Sequence, residues 1–407
     1  MNTIYFAKWI LLENGEVLIN GAISISESII TAVGPRSKVR TLNEDRVVNL
    51  GDVLLMPGLI NTHIHLEDAV VRGNYKSYEE TFTAWSNKKQ TKIRNTPPEK
   101  MLLSMDLTIK ELIAEGITGI VDCTRTGLSA PILNNSSIRS WIIDELHSDD
   151  DSSEKQCWEQ IRKKHRNAHS ETTGIGPYGL FSLAPKIQHE IIEFTKKNNT
   201  LWATHLAESA EELQAFSEKK GDLYFYATRK RPWPFGDLTN GSMNYGIDNN
   251  LIPKGGICIH CNYVNGQELS YMASNSVSLV ICHRYSIETG HKLLPIDVAL
   301  NRNVNICLGT EGIASKGCLS LFDELFALKQ HYPHISAKEM LRWVTINPAK
   351  ALNVENKLGS LADGKLADFI AVRFAHDSDS DILEELLVEE PEIALVVING
   401  EEIIFNC

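Results

Sequence analysis

Hydrophobic positions fall along this chain in two textures. From residue 1 to about 56 they form short runs, at Thr3 to Leu12, Glu16 to Ser24, Ile29 to Val33 and Val47 to Leu50. Asn14-Gly15 and Asn20-Gly21 separate or interrupt these runs, and short runs broken by such pairs predict hairpin strands. The same texture returns at Ala367 to Val372, Ala394 to Ile398 and Glu402 to Phe405. Strand-rich ends around a different middle predict one small β-sandwich domain built from both termini.

The middle alternates. Apolar strand candidates are Val53 to Asn61, Ile117 to Cys123, Ser140 to Asp144, Tyr178 to Leu183, Leu201 to His205, Gly256 to Cys261, Val277 to Cys282 and Val304 to Gly309. Helical patterns lie between most of them. Glu99 to Glu115 carries Leu102, Leu103, Leu107, Leu112 and Ile113 on one stripe before Gly116. Ser209 with Glu212, and Ser336 with Glu339, read as capping boxes that open two further helices. Continuously apolar strands with helices between them predict an α/β fold, a parallel (β/α)8 TIM-like barrel. A doubly wound open sheet would need a Gly-rich first turn, which is missing. The expected division is residues 1–56 and 358–407 for the small β domain and 57–357 for the barrel. The acidic, Ser-rich stretch Ser148 to Glu154 reads as a surface loop.

Composition narrows the partners. At 407 residues, 43% hydrophobic and 23% charged, the chain reads as a globular protein of ordinary balance. A net charge of -12 argues against nucleic acid, because phosphate binding needs clustered Lys and Arg. The run Arg229-Lys230-Arg231 reads as a solvated loop. No apolar stretch reaches the length of a membrane span, and Lys8 interrupts the first apolar segment. The expectation is a cytoplasmic protein acting on a small molecule, with a homo-oligomer left open. Cys123, Cys258, Cys282 and Cys307 lie in strand-like runs as small hydrophobes. Cys258-Ile259-His260-Cys261 has no second Cys pair at matching spacing, which argues against a structural zinc knuckle. The His-x-Glu and Pro-Cys-x-x-Cys arrangement of polynucleotide deaminases is also missing.

Chemistry concentrates at the predicted strand ends, where a barrel of this kind places its active site. The first run ends in Asn61-Thr62-His63-Ile64-His65. On a strand, residues two apart share a face, so both imidazoles converge. The fifth strand ends at His205, followed by Glu208; the sixth presents His260; the eighth ends in Leu308-Gly309-Thr310-Glu311. Four of the thirteen His thus reach one face, while His147, His165, His169, His331, His334 and His376 read as surface residues. His63, His65, His205 and Glu311 suit one Zn²⁺, or another divalent ion such as Fe²⁺, with one position open to water. Such an ion makes hydroxide available near neutrality. Glu208 is placed to shuttle protons, Glu311 to bind metal and accept a proton, and His260 to orient hydroxide or polarise the substrate.

These motifs resemble the amidohydrolase superfamily, within its deaminase and chlorohydrolase branch. The matching segments are Pro57 to His65, Thr204-His205-Leu206-Ala207-Glu208-Ser209, Ile259-His260 and Leu308-Gly309-Thr310-Glu311. Asn347 to Leu352 and Leu358 to Asp368 extend the resemblance over nearly the whole chain. Three details look like aminofutalosine deaminases of menaquinone biosynthesis: His65-Leu66-Glu67, the segment Leu206 to Glu212, and Arg284 with Gly290-His291 and Pro295. The resemblance implies hydrolytic removal of the 6-amino group of an adenine nucleoside, with Glu67, Arg284 and His291 at the substrate. For Glu67 and Arg284 a structural ion pair is an equal reading. Deaminases of S-adenosylhomocysteine or methylthioadenosine share the chemistry. Dechlorination is the second enzymatic reading, disfavoured because Glu208 is present. A silent relative that only binds a nucleoside or a partner is the third.

The resemblance also implies a mononuclear site, because Tyr178 to Leu183 lacks the Lys that bridges two ions elsewhere in the superfamily. Two positions depart from the pattern. The strand-eight acid is Glu311 where the family has Asp. Strand seven ends in Cys282-His283-Arg284-Tyr285-Ser286, where the family favours Pro after the Cys. That leaves His283 as a loop residue in preference to an extra ligand or a substrate contact.

Overall fold

The computed structural model describes residues 2–73, 81–148, 150–166, 172–229, 232–233, 235–313, 319–374, 381–388 and 391–405. His169, His376, Lys230 and Arg231 lie outside them. The N-terminal strands are β1 (Thr3–Leu11), β2 (Val17–Ser26), β3 (Ile29–Pro35), β4 (Arg46–Asn49) and β5 (Val53–Pro57). A second group follows: β6 (Leu59–His65), β7 (Ile117–Thr124), β8 (Arg139–Leu146), β9 (Thr173–Pro177), β10 (Leu201–Leu206), β11 (Ile257–His260), β12 (Ser278–Ile281), β13 (Asn305–Leu308) and the short β14 (Glu311–Gly312). The chain ends with β15 (Phe369–Arg373), β16 (Glu392–Ile398) and β17 (Glu401–Phe405).

Strands β6 to β13 pair in chain order, all parallel, with helices between most of them. Past Gly309 and Thr310 the chain enters β14, which pairs with β6 through Glu311 and Ile64. The sheet therefore curls back onto its first strand, as the expected barrel requires. Both termini build the other sheet, in the order β17-β16-β15-β5-β1-β2-β3 with β4 on β1. Its strands alternate between two cores. Val53 and Leu55 of β5 and Phe369 and Ala371 of β15 pack within the sheet's own core. Leu54, Met56, Ile370 and Val372 point the other way, into the core that fills the barrel's flank. Burial on both faces explains why β5 reads as an unbroken apolar run.

The structure corrects several expectations. The run Val53 to Asn61 is two strands: β5 pairs with β1 and β15, and β6 pairs with β7, so the chain changes sheet at Pro57-Gly58. The fourth barrel strand is Thr173–Pro177, and Tyr178 to Leu183 is the turn after it. Its two glycines hid it. A Cβ on Gly176 would stand 1.7 Å from the Ala203 carbonyl oxygen, so the close approach of β10 excludes any side chain there. This strand too lacks a Lys.

The Pro98–Ala114 helix buries Met101, Met105, Ile109, Leu112 and Ile113, whereas Leu103 and Leu107 are 62% and 51% exposed. Of the expected stripe, Leu112 and Ile113 are buried and Leu103 and Leu107 are not, because packing centres on the Met101, Met105 and Ile109 side of the helix. Ser148 to Glu154 is not a loop throughout. A helix, Asp151–Arg166, begins inside it, with Asp150 Oδ1 accepting from the Ser152 and Ser153 amides. His165 on that helix is buried, its Nε2 2.7 Å from Asp144 Oδ2, rather than at the surface. Among the described residues no helix is long and apolar enough to cross a membrane.

Candidate metal centre and active site

Strand β6 carries His63 and His65 to the C-terminal mouth of the barrel, β10 brings His205, and β14 brings Glu311. Gly309 makes the convergence possible. A Cβ there would fall 2.7 Å from His63 Cβ, so only glycine lets the end of β13 lie against β6. Two residues on, Glu311 adopts φ +57°, a left-handed backbone that costs about 1–3 kcal/mol in a non-glycine residue. That turn aims the carboxylate inward. Its Oε2 lies 2.6 Å from His63 Nε2 and 3.9 Å from His205 Nε2, and Oε1 lies 3.5 Å from His65 Nε2. The ligating atoms of His63, His65, His205 and Glu311 lie within 4.8 Å of one another.

Hydrogen bonds select the tautomers. His65 Nδ1 is 2.9 Å from the Cys123 carbonyl oxygen, and His205 Nδ1 is 3.0 Å from that of Tyr178. A ring nitrogen facing a carbonyl donates, so in its neutral, metal-binding form each ring turns the Nε2 lone pair inward. Those two lone pairs face each other at 3.3 Å, and His63 Nε2 is 3.2 Å from His205 Nε2. Without a cation between them such nitrogens repel. Two nitrogens bound at 2.0–2.1 Å to one tetrahedral ion stand about 3.3 Å apart. The donor set fits a divalent ion and forms a metal-binding site.

Burial sets the charges of the cluster. It pushes His63 down to about 4, against the pull of Glu311. Burial also acts to raise Glu311, but His65 and His63 beside it outweigh this and hold it well below the ordinary carboxylate range. Glu145, at the end of β8, is buried 3.2 Å from His205 Nδ1. Despite burial, His65 and His205 bring Glu145 down to about 2. Its other oxygen lies 3.6 Å from Arg125 Nε, and the Arg125 guanidinium stacks on Tyr178.

Glu208 stands on the far side of the cluster. Its Oε1 accepts from the Tyr285 hydroxyl at 2.9 Å and lies 3.5 Å from His260 Nε2 and 4.0 Å from His291 Nε2. Burial raises Glu208 to about 8, helped by Glu311 and Glu212 and opposed by His205. Burial holds His260 well below its ordinary value and lowers His291 to about 4. Ala207, at φ +49°, and His260, at φ +71°, share the left-handed backbone of Glu311. Glu212 accepts from the Ala207 and Glu208 amides at 2.9 Å each. The expected capping box is therefore half formed: Ser209 Oγ accepts from the Glu212 amide, but the Glu212 carboxylate pins the active-site turn instead. Ser336 likewise caps Glu339, whose carboxylate accepts from the Trp343 indole. A complete box forms at Asn265 and Glu268.

The remaining expected residues divide. Glu67 is buried and accepts from the Arg125 and Thr126 amides and the Thr126 hydroxyl, bracing the loop that carries Arg125. Arg284 pairs with Asp323 at 2.6 Å. His283 opens the His283–Glu288 helix rather than lying in a loop, and its Nε2 is 3.1 Å from His331 Nδ1. His147, expected at the surface, lines the active-site pocket beside Tyr226. Phe82, Tyr178, Phe181, Leu223, Tyr226 and Glu208 line that pocket. Sequence reasoning missed Glu145, Arg125 and Tyr285. Glu145 alone had a signal, an acid at the end of an apolar run whose predicted end stopped one residue short.

A parallel barrel with three imidazoles and a carboxylate at its C-terminal mouth defines a metal-dependent hydrolase. Residues 54–403 match the Amidohydrolase family, and the chain belongs to it. It is a hydrolase acting on carbon–nitrogen bonds. A 5-methylthioadenosine/S-adenosylhomocysteine deaminase of Bacillus cytotoxicus is 23% identical over 100% of this chain and 94% of that protein. Helicobacter pylori aminofutalosine deaminase in complex with methylthio-coformycin superposes with a TM-score of 0.85 at 19% identity, over 99% of this chain and 100% of that one. An adenosine deaminase from Xanthomonas campestris with bound zinc gives 0.84 at 19% identity, over 99% and 93%.

Proposed function

We propose that this protein is a zinc-dependent hydrolytic deaminase of adenine nucleosides, with aminofutalosine, a precursor of menaquinone, as the preferred substrate. The observation that carries the reading is the placement of Glu208, buried between the metal cluster and the pocket and held by Tyr285. With an upward-shifted carboxyl near 8 it carries a proton at neutral pH, as a group that must protonate a ring nitrogen needs to. It can then take up a proton and deliver it to the departing amine. A divalent ion held by His63, His65, His205 and Glu311 supplies the nucleophile by lowering the pKa of water towards neutrality.

Glu311 stays ionised and accepts a proton, while neutral His260 presents Nε2 beside it at 3.6 Å. Apolar and aromatic walls suit a flat base and exclude water from it. Deamination fits better than dechlorination because Glu208 supplies the proton that a leaving amine needs. The resemblance of the Leu206 to Glu212 turn favours aminofutalosine over methylthioadenosine and S-adenosylhomocysteine. Ammonia release from a panel of these nucleosides, with adenosine included, tests both levels. Release from aminofutalosine at the highest kcat/KM supports the substrate. Release mainly from another member keeps the reaction class and replaces the substrate. No release from any by zinc-loaded protein sinks the enzyme reading and leaves a silent binder.

A further inference from the structure

One wall of the pocket is tied to the turn that carries Glu208. The Phe82–Arg94 helix lines the pocket with Phe82, Ser86, Gln90 and Arg94, residues four apart and therefore on one face. Phe82, at its first position, stands beside the reacting groups. Its ring centroid is 4.8 Å from that of His291, and His291 Nε2 lies 4.0 Å from Glu208 Oε1. The first N–H groups of a helix have no partner within it. Thr81 is the local cap and accepts from the Ala84 amide. The Phe82 and Thr83 amides turn instead to Glu211, 129 positions along the chain from Phe82. Glu211 Oε1 accepts from the Phe82 amide at 2.5 Å and Oε2 from the Thr83 amide at 3.1 Å. The Thr83 hydroxyl donates to Oε2 as well. A carboxylate at a helix N-terminus makes charge-assisted bonds, which the helix dipole favours.

Glu211 and Glu212 open the Ala210–Glu218 helix side by side and hold different things. Glu212 accepts from the Ala207 and Glu208 amides, whereas Glu211 holds the start of the pocket wall. Beyond its second turn the Phe82–Arg94 helix is anchored separately, by the buried pair Lys89 and Asp68 at 2.8 Å. The Glu211 contact therefore governs the first turn, where Phe82 sits. We propose that Glu211 is a positioning residue for the substrate, fixing the Phe82 ring as the surface against which the nucleoside packs. Its effect falls on binding. A wall contact made equally in the ground and transition states is uniform binding, and its loss raises KM while leaving kcat. The inference rests on the pocket taking a nucleoside, the reading proposed above, and not on that nucleoside being deaminated.

The zinc-loaded full chain tests it with methylthioadenosine, the Kd measured by calorimetry and KM and kcat by ammonia release. Glu211→Ala should raise Kd and KM about tenfold, the scale of one lost aromatic contact. Its zinc content should be unchanged and its kcat within about threefold of wild type. Glu211→Gln keeps one acceptor oxygen and should raise Kd by a smaller factor. Phe82→Ala should match Glu211→Ala, and the double variant should lose no more than either, because the two residues act as one unit. A Glu211→Ala chain that melts earlier yet keeps the wild-type Kd and KM overturns the proposal, since the contact would then serve folding alone. So do losses that add in the double variant, or a fall in kcat at unchanged KM. Wild type that binds methylthioadenosine without releasing ammonia overturns the deaminase reading, and the Kd values still decide this one. Wild type that does not bind it overturns the nucleoside pocket and this inference together.

Discussion

Glu145 Oε1 lies 3.2 Å from His205 Nδ1, and Arg125 approaches the other carboxylate oxygen at 3.6 Å. The carboxylate thus steadies the imidazole from behind and raises its basicity. Burial alone would lower His205, but Glu145, followed by Glu311, raises it to about 9. Groups behind a metal ligand tune affinity by about 10–100-fold. Glu145→Gln should weaken metal binding by that factor, measured by competition with a chromogenic chelator at fixed pH. Affinity equal to wild type would show that the Tyr178 carbonyl alone orients the ring.

Glu208 is separable from the metal site, since it faces Tyr285 and His260 rather than the three ligating imidazoles. Glu208→Gln should keep its metal content and lose about 10²–10⁴-fold in turnover, the range of a general acid–base group. Metal analysis and ammonia release on the same preparation check this. Turnover within a few-fold of wild type would remove Glu208 from the proton path.

Glu311 reaches to 2.6 Å from His63 Nε2, closer than the spacing of about 3.3 Å for two donors on one tetrahedral ion. The longer side chain overreaches, so a shorter one is tolerated. Glu311→Asp should keep the ion in the three-imidazole cluster and turnover within about tenfold of wild type. Glu311→Ala should lose metal and more than about 10²-fold in rate, the scale of a misplaced reacting group. An Asp variant that fails to bind metal would show instead that the left-handed turn at Glu311 is matched to the longer acid.

The upward shift of Glu208, to about 8, sets a sign for the pH dependence. If the protonated carboxyl starts the reaction, activity is present below its pKa and lost above it. The expected profile of kcat/KM falls about tenfold per pH unit on the alkaline side, with its limb at or below pH 8 because a bound cation lowers the value. The same shift makes the folded chain hold a proton that the unfolded chain has released between the ordinary carboxylate value of 4.5 and about 8. Its contribution to stability therefore declines as pH rises through that window. A pH–rate profile that climbs through pH 9 would contradict the assignment.

What the sequence determined by itself was periodic or adjacent. His63 and His65 share a face because strand residues alternate, and His205, His260 and Glu311 follow apolar runs whose ends mark the barrel mouth. The terminal strands were legible from their short apolar runs and from Asn14-Gly15, whereas Asn20-Gly21 lies inside β2 rather than in a turn. What tertiary structure decided was set by contacts between distant segments. β9 was invisible as an apolar run because the backbone of β10 excludes side chains at Gly176. Packing decided that the Pro98–Ala114 helix buries Met101, Met105 and Ile109 beside Leu112 and Ile113 and leaves Leu103 and Leu107 exposed. Arg125 carries no local signal of its role and Glu145 only that of an acid at the end of an apolar run, since 19 residues of chain separate partners that meet only when β7 and β8 pair. Glu212 obeyed the local rule only in part, because the amides of a strained turn offered its carboxylate a better use than its own helix end. Local chemistry fixes which residues can ligate or titrate, and the curl of the sheet decides which of them share one point.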